Sequence, residues 1–131
     1  MSKEEWEKEL LEDKIPPEPF EIEIQKTPEI FEGKYFIVFF TTDKQTGIDY
    51  YQIKEGTGEW QIAESPYLLK GQSLKSIIQI KAVDKAGNER MVEYIPSSKI
   101  FFFSGIAILV LVLVAIIFYV GYLRKRKKNK I

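Results

Sequence analysis

The chain contains no cysteine and no histidine. Disulfides and thiolate chemistry are therefore excluded, and so is any zinc site built from Cys or His. The side chain most often used as a general base near neutral pH is missing as well. Packing alone has to stabilise whatever folds here. A second lack is local. Residues 100–123 (IFFFSGIAILVLVLVAIIFYVGYL) carry no charge over 24 positions, and only Ser104 and two glycines interrupt the apolar side chains. A third is hidden by the formal net charge of zero. Six of the nineteen basic residues lie after position 123, which leaves thirteen against nineteen acidic ones in the rest of the chain. That acidic remainder lacks the basic footprint of a nucleic-acid-binding surface, so no nucleic-acid partner is expected. A start that reads MSKEEWEKELLED also lacks the apolar core of a secretory signal.

What is present begins with the uncharged run. A hydrocarbon core about 30 Å thick needs roughly 20 helical residues to cross it. Residues 100–123 are long enough to span with some tilt. A chain of 131 residues, room for about one domain, is too small to wrap such a helix as a core. Aromatic side chains collect at its ends: Phe101, Phe102 and Phe103 on one side, Phe118, Tyr119 and Tyr122 on the other. These are the expected interface anchors. Arg124, Lys125, Arg126, Lys127 and Lys128 follow as a stop-transfer cluster, with Lys130 beyond. Basic residues stay on the cytoplasmic side, so the expected topology is single-pass, with the N-terminal domain outside and the C-terminus inside. Gly105 and Gly121 are sixteen apart and form no small-residue dimer motif. Because an outside domain normally follows a signal sequence, the chain is expected to be the C-terminal part of a longer secreted protein. The competing expectation is a cytoplasmic adaptor anchored by its tail.

The soluble part divides at a proline cluster. Residues 1–18 predict a short helix over 2–12 and a stiff linker at Pro16, Pro17 and Pro19. Ser2 with Glu5 three residues on forms a capping-box pattern, and Trp6 and Leu10 share one face. Residues 19–96 then read as seven short strands at 20–25, 34–42, 48–54, 59–64, 67–75, 76–83 and 89–95. Turn residues separate them, notably at 42–47, 55–58 and 84–88. The alternation places Ile78, Ile80 and Ala82 on one face, and 34–42 is apolar on both. Seven strands at about 8–12-residue spacing, with no helix among them, predict an all-β antiparallel sandwich. Residues 97–123 are then linker and membrane helix, and 124–131 a basic cytoplasmic tail.

Two stretches carry a resemblance. Asp43, Thr46, Gly47, Ile48 and Tyr51, followed by Trp60 and Ser65-Pro66-Tyr67, form the first; Ile80, Ala82, Asp84, Ala86, Gly87 and Asn88 form the second. Together they resemble the D-x-x-[ST]-G-I-x-x-Y … V-x-A-x-D-x-A-G-N pattern of bacterial immunoglobulin-like or fibronectin-III-like cell-surface modules. The resemblance implies an immunoglobulin-like sandwich and a non-enzymatic display, spacer or adhesion role.

Chemistry beyond that is sparse. Asp43, Asp49 and Asp84 lie in or beside turns and supply the oxygen ligands that calcium takes, but no EF-hand run is present. Turn capping by their own side chains is the simpler expectation, and no cofactor is expected. Glu55, Glu59 and Glu64 near Trp60 suggest a sugar-cleaving pair, which needs two carboxyls about 5–9.5 Å apart across a cleft. Short loops on a small sandwich make solvated edge charges the expected role instead. Trp60, Tyr67 and Tyr51 are the candidate contacts for a protein or polysaccharide ligand. Trp60 is otherwise a core residue, and the adjacent Tyr50 and Tyr51 must face opposite sides of their strand.

Overall fold

The computed structural model describes residues 1–130. It divides into two compact units, Met1–Ile95 and Pro96–Ile131. The first opens with helix α1 (Lys3–Glu12). The expected capping box is formed: the Glu5 N–H donates to Ser2 Oγ (3.2 Å), and the Ser2 N–H donates to the Glu5 carboxylate (2.6 Å). These bonds hold the Glu5 carboxyl below its ordinary value. Ion pairs Lys3–Glu7 and Lys8–Glu12 lie exposed along the helix and contribute little. The helix ends at Asp13, whose N–H donates to the Glu9 carbonyl.

Residues 13–18 lie along the strand ends. The Glu18 N–H donates to the Thr42 carbonyl (2.8 Å), the Thr41 hydroxyl to the Glu18 carbonyl (2.6 Å), and Arg90 Nε to the Pro17 carbonyl (2.8 Å). Pro17 is fully buried. Its missing N–H is no loss there, because its carbonyl is the group that is bonded.

Seven strands follow: β1 (Ile22–Gln25), β2 (Phe36–Phe39), β3 (Ile48–Glu55), β4 (Gln61–Ala63), β5 (Tyr67–Leu68), β6 (Ile78–Asp84) and β7 (Glu89–Tyr94). All pair antiparallel, in a three-stranded sheet ordered β1-β2-β5 and a four-stranded sheet ordered β4-β3-β6-β7. The two inner faces meet in one core. Ile37 and Phe39 from the first sheet and Ile53, Ala63, Ile78 and Ile80 from the second are each at most 5 % exposed. Ile78, Ile80 and Ala82 point inward, as their alternation predicts.

All the strands except β3, which runs one residue further, are shorter than the sequence pattern suggests, and β2 shows why. Residues 34–42 look like one long central strand, but only four keep ladder geometry. Side chains take the neighbouring backbone groups. The Tyr35 N–H donates to Gln72 Oε1 (2.8 Å), and Gln72 Nε2 donates back to the Tyr35 carbonyl (3.0 Å) and to Leu69 (2.7 Å). The Phe39 N–H goes to Ser65 Oγ and the Thr41 N–H to the Tyr51 hydroxyl, both at 3.0 Å. Buried backbone groups must be paired, but the partner need not be another strand. The second apolar face of β2 is only partly covered. Phe36 is buried beneath Phe31 (5.7 Å between ring centres), whereas Phe40 stands 75 % exposed.

Turn chemistry follows the sequence closely. Gly47 and Gly87 take positive φ, 82° and 88°, where a side chain would be strained. Asn88 does not share that role. It folds its amide back onto Asp84 instead.

The second unit is helix α2 (Ser97–Lys128). It contains 32 residues, a length of about 48 Å at 1.5 Å per residue.

Candidate functional site: an acidic cluster and an apolar helix

Three chain segments converge on one set of carboxylates. Asp13 closes α1, Asp43 opens the turn into β3, and Asp84 ends β6. One oxygen from each lies within 4.8 Å of the others. Asp13 and Asp84 are each 1 % exposed. Asp43 Oδ2 accepts the N–H groups of Gln45 (3.0 Å), Thr46 (2.7 Å) and Gly47 (2.9 Å), the pattern of a side chain organising its own turn. The Thr46 hydroxyl, also buried, donates to Asp13 Oδ2 at 2.6 Å, while the Ile15 N–H donates to Asp13 Oδ1. Asn88 donates its backbone N–H and its side-chain amide to the two oxygens of Asp84, and the same amide reaches the Asp13 carbonyl (3.2 Å). Among the described residues, no ion pair involves any of the three.

Carboxylate oxygens are what a hard cation such as Ca²⁺ takes, in sets of six to eight ligands. Asp13, Asp43 and Asp84 are the residues with the chemistry to hold one. Most of their oxygens are already engaged by N–H and O–H donors, which accounts for their burial. The sequence pointed to Asp43, Asp49 and Asp84. The structure brings the first and last together and leaves Asp49 exposed at a register shift in β3. Asp13 was missed because Asp-Lys-Ile-Pro-Pro reads as a linker. The cue was its place at the end of a helix, followed by a chain that cannot continue helically.

A pH dependence follows from Asp43. Burial pushes its carboxyl up, but the N–H groups of Gly47, Thr46 and Gln45 together pull it further down, so it lies below the ordinary 3.8. A depressed folded value means that the stabilisation is complete above 3.8 and is lost as pH falls through the folded value. Asp43→Asn keeps an oxygen for the three N–H donors and removes the titration. Chemical denaturation at successive pH values should therefore show a shallower acid limb for Asp43→Asn than for the unmodified chain. Identical limbs would rule Asp43 out as a source of acid sensitivity.

The aromatic candidates do not form one surface. Tyr51 faces inward, its ring 5.0 Å from Phe39 and its hydroxyl bonded to the Thr41 backbone. Tyr50, its neighbour, is exposed on the other side. Tyr67 packs against the core, and burial followed by the Glu55 charge pushes its hydroxyl above the ordinary value. Trp60 is not in the core cluster. Its ring carries Lys81 Nζ at 4.6 Å and Lys54 Nζ at 5.9 Å on the outer face of the four-stranded sheet. Cation–π attraction and the lysine stems half-cover it there. Glu55 has a structural task, since its two oxygens accept the N–H groups of Lys70 and Gly71 and pin the chain after β5. Glu59 and Glu64 are exposed.

The second feature is α2. Its most apolar window has a mean hydropathy of 3.2, and it is the one helix among the described residues long and apolar enough to cross a membrane. The large side chains of 100–123 are exposed all round, Phe101 and Phe118 at 76 % each. Ser104, the single hydroxyl in the middle of this greasy surface's first turns, donates to the Ile100 carbonyl (2.9 Å). That hydroxyl is thus satisfied within the helix, as buried polar groups in a lipid-embedded segment must be. Tyr119 and Tyr122, 63 % and 61 % exposed, stand just before the basic cluster.

No protein-family profile, curated protein or solved structure matches this chain. Function is therefore read from its own residues. The acidic cluster ties the end of α1 to two turns of the sheets. The helix offers about 36 Å of uncharged length, from 24 residues, against a hydrocarbon core of about 30 Å.

Proposed function

We propose that the chain is a single-pass membrane protein whose two-sheet unit is displayed outside the cell, with the basic end in the cytoplasm. The observation that carries this reading is α2: its residues 100–123 are uncharged with no polar face, and a cluster of cations follows them on the same helix. In water that surface has nothing to cover it, and in lipid it needs no cover. Six basic residues after the span, against Lys99 immediately before it, give the orientation its sign.

The displayed unit is an immunoglobulin-like module of the bacterial cell-surface kind. Support comes from the strand order β1-β2-β5 and β4-β3-β6-β7, with the Asp43–Gly47 and Asp84–Asn88 turns at the ends of the central strands β3 and β6. Within that group, β4 pairs with β3, whereas the fourth strand of an immunoglobulin constant domain joins the other sheet. This placement favours the fibronectin-III-like member. Its role is non-enzymatic: a rigid spacer that holds attached surface away from the bilayer. The separated aromatics favour this over a sugar-binding platform, because Trp60, Tyr51 and Tyr67 present no common face.

Topology is open to a direct test, since the chain has no cysteine to interfere. Glu29→Cys, in an exposed loop, should react with a membrane-impermeant maleimide on intact cells. Asn129→Cys should react only after permeabilisation. The reverse pattern would overturn the orientation and support a cytoplasmic adaptor.

A further inference from the structure

The helix does not stop where the apolar run stops. It continues through Lys128, so five successive cations sit on a helical surface. Neighbouring residues on an α-helix are turned by about 100°. Lys125, Arg126 and Lys127 therefore point in three widely separated directions, and Arg124 and Lys128 share the remaining side. All are exposed, with Lys130 beyond them. No Asp or Glu follows Glu93 in the sequence, and among the described residues no ion pair reaches these cations.

Their axial spread is equally informative. From Arg124 to Lys128 the helix rises about 6 Å. The polar layer on each side of a bilayer core is about 5–8 Å deep. A cationic band of that height, directly below Tyr119 and Tyr122, matches the layer that holds lipid phosphates.

We propose that this band binds anionic phospholipid headgroups and gathers a shell of them around the helix end. The proposal rests on the membrane-anchor reading above. Its argument is the all-round distribution of charge. Lipid meets a spanning helix from every side, whereas a protein partner is met from one side and calls for a stripe. Clusters of four to eight basic residues beside a span attract anionic lipid by electrostatics.

The test uses the full chain in phosphatidylcholine vesicles, with a donor dye on Asn129→Cys. Matched vesicles carry a minor fraction of acyl-labelled phosphatidylserine or acyl-labelled phosphatidylcholine as acceptor. Energy transfer should show the anionic lipid enriched about fivefold at the helix in low salt. The enrichment should vanish at 1 M salt, where the screening length falls to about 3 Å. It should also vanish when Arg124, Lys125, Arg126, Lys127, Lys128 and Lys130 are all changed to Gln. Equal transfer to both lipids, or enrichment that survives either change, would overturn the proposal. Competition by soluble glycerophosphoserine would overturn it too, by pointing to a free anion as the ligand. Flotation separates the two levels of failure. A chain that floats with pure phosphatidylcholine vesicles but does not discriminate loses only the lipid preference. A chain that does not float loses the anchor itself.

Discussion

Two arginines placed mid-span, Leu111→Arg with Val114→Arg, should convert the chain from one that resists alkaline carbonate extraction into one largely released from the membrane pellet. The magnitudes decide that two are needed. Residues 100–123 include seventeen Leu, Ile, Phe or Val side chains. At about −0.3 to −0.6 kcal/mol each for helix-centre positions, they favour insertion by at most roughly 5–10 kcal/mol. Exchanging a central Leu or Val for Arg costs about 3–4 kcal/mol on the same scale. Leu111→Arg alone should leave insertion favourable and the chain in the pellet. The pair costs about 6–8 kcal/mol and brings the balance near zero. A double variant that stays fully membrane-bound, or an unmodified chain that carbonate extracts, would refute the spanning role of α2.

The sequence made some features of this molecule easy to read and others not, and the difference is one of range. The capping box of α1 involves Ser2 and Glu5, three residues apart, and its bonds are those the pattern implies. The inward face of β6 was visible because Ile78, Ile80 and Ala82 alternate without interruption. The apolar helix needed only length and the absence of charge. All seven strand regions were legible, but their ends were not. Strand ends depend on which distant group bonds the backbone. Gln72 reaching Tyr35 and Tyr51 reaching Thr41 are choices made by the folded chain, at separations of 37 and 10 residues.

The acidic cluster shows the same division. Asp43 and Asp84 were marked by their turns, each organised by local N–H donors. Asp13 comes from a segment whose prolines signalled extension but not its docking, and its contacts to Thr46 and Asn88 span 33 and 75 residues. Trp60 illustrates a different limit. A tryptophan in a strand-like run is read as core because its apolar area is large. Here residue 63, a mere alanine, takes the inward position of β4, and Trp60 and Ile62 stay outside it. Two lysine ammonium groups near the Trp60 ring make that placement tolerable.

Phe39 and Phe40 give the sharpest test of the sandwich itself. They are adjacent and chemically identical, and no local propensity separates them. The structure puts Phe39 at 3 % exposure and Phe40 at 75 %. Phe39 lies on the strand of one sheet and packs its ring 5.0 Å from Tyr51 of the other, so it helps to close the core between them. Truncating it removes a large buried surface and leaves a cavity that Ile37, Ile53 and Ile80 cannot fill. Phe→Ala at such a site costs about 3–5 kcal/mol. That is a large share of the roughly 5–15 kcal/mol that holds a domain folded. Phe40→Ala removes a ring that is already in solvent, and the expected change is within about 0.5 kcal/mol. Denaturation of the full chain in detergent micelles, followed by near-ultraviolet circular dichroism, should show Phe39→Ala unfolding at far lower denaturant and Phe40→Ala beside the unmodified chain. The reverse order, with Phe40→Ala the costly change, would mean that the register of β2 against β1, Ile22 opposite Phe39, is shifted by one residue, since a one-residue slip exchanges the two faces of a strand; equal losses would refute the placement of Phe39 alone in the core.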